Sequence, residues 1–223
     1  MITSNASSKI ARFNALGYHY NFAADRIYAY RKQCADPLGV AFLPYIVAGL
    51  IAFDMNRMMG EGTEQKYDIQ KGGFAYKLFN KFKGLNSFIG HLIDASILDT
   101  DINKEKDNIK YAYDTLSSKG KYCLHSNVEK SFHVGATKIL HFLNPEFFII
   151  IDSNAARAYR ENHNVPFKNT TQPGYSAESY VMCMQHTQYD IEGFGVDNFQ
   201  NLEPGCPITG IYDKLAFVTG AGL

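Results

Sequence analysis

Between Ser131 and Arg160 the chain reads as an amphipathic helix, an Asn-Pro turn, a short apolar run and an aspartate that opens another helix. At 100° per residue, Phe132, Ala136, Ile139, Leu140 and Leu143 fall on one side of a helix from Ser131 to Leu143. Asn144-Pro145-Glu146 ends it, because proline offers no backbone N–H and pushes the residue before it out of the helical region. Phe147 to Ile151 is long enough for a strand, but its neighbours are helical, so it reads as a buried connector or a first helical turn. Asp152 then stands before Ser153-Asn154-Ala155-Ala156-Arg157, where a carboxylate serves as an N-cap. Two helices joined at such a corner must bury their apolar faces against further helices, which commits the chain to an all-α body.

The remaining patterns agree with that class. Ser7 or Ser8 caps a segment that runs to Leu16 and stops at Gly17; Tyr20 to Arg31 follows, with Phe22, Ile27 and Tyr30 as core positions, and a largely apolar segment starts at Pro37 and ends near Gly60. The polar, glycine-containing stretch 61–73 reads as a loop and sets a lobe boundary within a single helical unit covering 1–223. Phe74, Leu78 and Phe82 define the stripe of a basic helix, and Leu85 to Leu98 reads as another buried helix. Thr100 is placed to cap a helix faced by Ile102, Ile109, Tyr113 and Leu116, with Gly120 near its end. Later helices are expected over Ala177 to His186, capped by Ser176, and Ile208 to Val218 behind Pro207, with an irregular connection between them.

Composition narrows the function classes. Lys plus Arg and Asp plus Glu number 22 each, so any nucleic-acid contact has to come from a local patch. Cys34, Cys123, Cys183 and Cys206 stand far apart, which argues for reduced thiols in a cytoplasmic protein and against a zinc ribbon or an iron–sulfur loop; no metal or cofactor is expected. His125, His133 and His141 recur every eight residues, a spacing that does not place three ligands on one helical face. The uncharged run from Pro37 to Phe53 is interrupted by Pro44 and reads as a core helix, so no membrane partner is expected.

Lys138 falls about 120° from the centre of the apolar stripe of its helix, at the edge of the packed face. A lysine beside apolar and aromatic groups loses proton affinity and becomes a nucleophile near neutral pH; alternatively its stem lies along the core edge with its amine in water. The Asp152 cap keeps a carboxylate available to stabilise a developing cation.

Val134-Gly135-Ala136-Thr137-Lys138-Ile139-Leu140 followed by Asp152-Ser153 and Arg157 resembles the helix-hairpin-helix DNA glycosylase superfamily over about thirty residues. The resemblance implies a two-lobed all-α fold and excision of a flipped base from double-stranded DNA, with or without lyase activity. Lys138 would attack the sugar carbon and Asp152 would steady the cationic sugar. It also implies a phosphate grip at the hairpin, where this chain carries Gly135, with His133 at the position of a first glycine. Lys119, Lys121 and Lys130 supply local positive charge for DNA, and Phe142, Phe147 and Tyr159 are the aromatic residues expected to floor a base pocket. The competing reading is a non-catalytic helical module that holds DNA or protein, in which Lys138 and Asp152 are helix-edge and cap residues.

Overall fold

The amphipathic stripes that include Phe74 to Phe82, Ile102 to Leu116 and Ala136 to Leu143 lie on helices. The computed structural model describes residues 1–59, 72–121, 123–167 and 175–223, and these form eleven α-helices and no strand. In chain order they are α1 (Ala6–Leu16), α2 (Tyr18–Arg31), α3 (Leu43–Ala52), α4 (Asn56–Met59), α5 (Phe74–Ile89), α6 (Ile102–Ser117), α7 (His133–Leu143), α8 (Ser153–His163), α9 (Ala177–Phe194), α10 (Val196–Leu202) and α11 (Ile208–Ala221). Short 3-10 turns precede α3 and follow α5. The loop expected over 61–73 lies outside the described residues except at its last two positions. One contiguous hydrophobic core runs from Ile2 to Ala216, across both sides of that expected boundary.

Several helix limits differ from the sequence expectation, each for a local reason. No serine caps α1; Asn5 precedes it in the left-handed region at φ 53°. The aspartate after Thr100 takes the capping role on α6, its side chain accepting from the Asn103 and Lys104 N–H groups, while Thr100 Oγ1 donates back to Ser96 O at 2.8 Å. The apolar stripe of α5 continues through Leu85 and Ile89, so the separate helix expected over 85–98 merges into it and closes in a 3-10 turn. Phe22 is 56% exposed and Tyr30 only partly buried, leaving Ile27 as the α2 core position of the three expected. Ser176 caps α9 as expected, but the helix runs on to Phe194, and α10 occupies what reads as irregular chain.

Helix α7 is the centre of the packing. It lies against α2, α3 and α6, and even its flanking positions His141 and Phe142 are sealed from solvent. Its C-terminal end is pinned by two buried polar side chains. Arg31 donates through Nε to Leu143 O at 2.5 Å and through a terminal nitrogen to Ile93 O at 2.7 Å. Asn144 Nδ2 donates to Leu92 O and Ala95 O, both at 2.7 Å, while its oxygen accepts from Glu146 N at 3.0 Å. The connector Phe147 to Ile151 is non-helical and buried except at Ile150, and Ile151 N donates to Thr137 Oγ1 at 3.1 Å, which fastens it along α7. Helix α8 then packs on α11. They approach so closely that a Cβ on Gly220 would stand 1.7 Å from Asn154 O.

Candidate active site

Lys138 projects from the middle of α7 toward the end of α3. It is 7% exposed, more enclosed than its place at the stripe edge suggests, because α2 and α3 cover that edge. Its Nζ donates to Phe53 O at 2.9 Å and stands 5.1 Å from the centre of the Phe53 ring. Burial lowers its pKa to about 8, and the nearby charges of Asp152 and Asp54 partly oppose that fall. The Phe53 carbonyl is aimed by an unusual turn: Asp54 adopts φ 59°, a left-handed conformation uncommon outside glycine, and the Tyr20 hydroxyl donates to its Oδ2.

Asp152 enters the same region from the head of α8. Its Oδ1 accepts from Asn154 N and Ala155 N, both at 2.9 Å, so it is an N-cap as the sequence predicts. No described residue donates to its Oδ2. Lys138 and Asp152 both line a cleft of about 120 Å³, although they form no direct ion pair. The cleft has aromatic walls from Phe13, Tyr20, Tyr28, Phe53 and Phe217, and Asp213 and Lys214 of α11 add a second carboxyl and a second amine. Lys214 is engaged by Glu203 Oε2 at 2.6 Å.

The expected base-pocket residues are elsewhere. Phe142, Phe147 and Tyr159 are each fully buried and none lines the cleft. Phe142 meets Phe53 edge-on from the core side, Phe147 packs against Phe148, and the Tyr159 hydroxyl is paired with Thr187 Oγ1 at 2.5 Å. The apolar run that suggested a pocket floor is core because α7, α9 and α11 close over it. Nor do the expected DNA-contacting residues surround the cleft. Lys119, Lys121 and Lys130 are exposed on the connection 118–132, and His133 bonds to the Tyr113 hydroxyl through Nδ1 at 3.0 Å. His133 lies about 140° around α7 from Lys138. Gly135 is buried inside the first turn of α7, where an added Cβ would stand 1.9 Å from the Phe132 ring. Its small size serves helix-start packing, and it is not placed in an open phosphate-binding hairpin.

Set beside known protein families, curated proteins and solved structures, the chain matches none.

Sequence reasoning missed the groups that complete the site. Asp213 is flanked on α11 by Ile211, Tyr212, Leu215 and Ala216, all fully buried, and both its oxygens lie within reach of Ile150 N, at 3.1 and 3.0 Å. Burial drives its pKa well above the ordinary carboxylate value, and the Ile150 N–H only partly counters this. Beside it, His141 Nδ1 donates to Phe148 O at 2.7 Å, which fixes the neutral tautomer and leaves Nε2 to accept from the Tyr28 hydroxyl at 2.6 Å. Burial lowers the His141 pKa to about 4. A lone carboxylate inside an apolar helix stripe was the available signal for Asp213. Tyr28 and Phe53 carried none, because their role depends on contacts 113 and 85 residues away in sequence. Among the described residues, no group of three or more His, Cys, Asp or Glu side chains could hold a metal ion, and no helix is long and apolar enough to cross a membrane.

Proposed function

We propose that the cleft excises a base from DNA, with Lys138 as the nucleophile and Asp152 as the carboxylate that stabilises the cationic sugar. The observation that carries this reading is the meeting of these two side chains in one cleft, with the amine desolvated. With a pKa of about 8, roughly a tenth of the amine is neutral at neutral pH, on the order of a hundredfold more than for an ordinary lysine. The Nζ lone pair forms a bond to the sugar C1′ as the glycosidic bond breaks, its electrons leaving with the base. Asp152 then moves a proton from the new ammonium to O4′ as the ring opens to an iminium. Base excision by this route requires a flipped nucleotide, and the aromatic walls from Tyr20, Tyr28 and Phe53 offer it flat apolar surfaces.

A second reading, a helical module without chemistry, draws support from the same contacts. Lys138 already has an acceptor in Phe53 O, and Asp152 already caps α8. Incubating the protein with lesion-bearing and abasic duplexes in borohydride separates the two. The enzyme reading expects a covalent adduct that vanishes in Lys138→Gln. Cleavage without trapping would point instead to a water nucleophile positioned by Asp152, and neither cleavage nor trapping across the panel would leave the binding module.

A further inference from the structure

Building on the excision reading above, we infer that Asp213 is a further catalytic residue of this cleft: it stands as a neutral carboxylic acid and gives its proton to the departing base. Three observations on the geometry carry this. Asp213 lines the same cleft as Lys138 and Asp152 but reaches it from a different helix, so it can address a different part of the same substrate. Its side chain is only 12% exposed, and both oxygens share a single donor, the Ile150 N–H. Asp152, by contrast, receives two N–H groups at a helix start.

Among the described residues no cation compensates Asp213. The titratable groups facing it are His141 from α7, Tyr28 from α2, Asp152 at the head of α8 and Tyr159 within it, Tyr180 from α9, Cys206 before α11 and Tyr212 on α11 itself. The His141 ring stands 3.6 Å from its Oδ2, a distance that alone suggests an ion pair. That ring is buried, has a pKa of about 4 and gives its Nδ1 hydrogen to Phe148 O, so it is neutral and occupied. Tyr28 donates to His141, and Asp152 adds like charge. Of the two lysines on the cleft, Lys138 donates to Phe53 O and Lys214 to Glu203. These surroundings favour the protonated carboxyl, the form an acid must hold if it is to donate.

The step balances. Lys138 Nζ forms the bond to C1′, the C1′–N bond breaks toward the base, and the Asp213 proton goes to the base nitrogen that receives the electron pair. The resulting Asp213 carboxylate recovers a proton from water once the base has left.

The test uses the full chain, a lesion-bearing duplex and a preformed abasic duplex. Asp213→Asn retains an acceptor for Ile150 N but carries no acidic proton. Base excision by this variant should fall at least about a hundredfold, the scale of general-acid catalysis, and lose the alkaline limb of the wild-type pH profile. Borohydride trapping on the abasic duplex, which has no base to protonate, should stay near the wild-type yield. Wild-type excision rate and pH profile in Asp213→Asn would overturn the assignment and leave the excision reading standing. Failure of the wild-type protein both to excise and to trap would remove that reading and this assignment together. Carbon-13 NMR of the wild-type protein labelled at its aspartate carboxyls gives an answer even if the variant does not fold. One carboxyl still protonated at neutral pH is expected, and a spectrum in which every aspartate is ionised there would overturn the assignment.

Discussion

Helix α7 and the connection 118–132 that feeds it are adjacent in sequence and both contain lysine and histidine, but their lysines live in opposite environments. Along and just beyond α7, Lys138, His141 and Asn144 are each held by a partner distant in sequence: the Phe53 carbonyl, the Tyr28 hydroxyl and the 92–95 turn. In the connection, Lys119, Lys121 and Lys130 are exposed, and the backbone is tied largely to itself, as in Gly120 N to Val128 O at 2.9 Å and Lys130 N to Asn127 O at 3.0 Å. The difference matters for chemistry. A desolvated amine in a low-dielectric setting has an altered proton affinity and a fixed position, whereas an exposed lysine is hydrated and screened by salt.

The sharpest way to break this contrast is to disturb the packing that fixes the first region. Gly220→Ala drives a methyl group into Asn154 O, a backbone atom that cannot turn aside, two residues into the helix that Asp152 caps. We expect a loss of about 3 kcal/mol or more, measurable as a lower denaturation midpoint, or failure to fold. A variant as stable as the parent would show that α8 and α11 have room to separate. Asn144→Ala removes two donors and one acceptor from a buried corner and leaves the Leu92 and Ala95 carbonyls without that partner; about 2–4 kcal/mol should be lost.

Lys138 itself should show the opposite sign. Its folded pKa of about 8 lies below the unfolded value of 10.5, so the unfolded chain binds the extra proton and the native state is penalised for it. That penalty, about 3 kcal/mol from the size of the shift, is present at neutral pH and is relieved as pH rises from about 8 toward 10.5. Lys138→Met should therefore gain about 1–2 kcal/mol at neutral pH after the Phe53 carbonyl loses its donor, and should flatten the rise of stability with pH in that window. A less stable variant with an unchanged pH dependence would mean that the amine reaches water. A stabilising loss at this position is the pattern of a residue kept for function.

How much of this was legible in the sequence follows from range. The stripes of α5, α6 and α7, the Asp152 and Ser176 caps and the buried connector at 147–151 depend on neighbours within a few turns, so periodicity and capping chemistry identify them. That Lys138 and Asp152 stand on helices joined by one Asn-Pro corner is local too, but the spacing alone does not tell that both line one cleft. Long-range features were not legible. Nothing near Phe53 or Asp213 reveals that α3 and α11 supply an acceptor and a second carboxyl to the same cleft. The aromatic floor failed for a related reason: hydrophobic periodicity marks Phe142 and Phe147 as buried but cannot say whether they face a cavity or a packed core.

The smallest effect belongs to the connection. Reversing Lys121 and Lys130 to Glu changes two exposed side chains away from the core, so folding stability should move less than in the variants above, by about 1 kcal/mol at most. Under the excision reading, these positions contribute to DNA affinity only through screened charge, and weaker binding with a shallower salt dependence is expected from the double variant. Trapping by Lys138 on a saturating abasic duplex should be unaffected, since neither lysine lines the cleft. The comparison fails in an informative way if the reversal abolishes trapping even at saturation, because the connection would then help to build the site. Unchanged affinity would instead move the DNA-facing surface to another part of the molecule. The corner where α1 meets α2 is the place to look next: Arg12, Tyr18 and His19 are exposed near it, and Phe13 and Tyr20 of the same helices line the cleft.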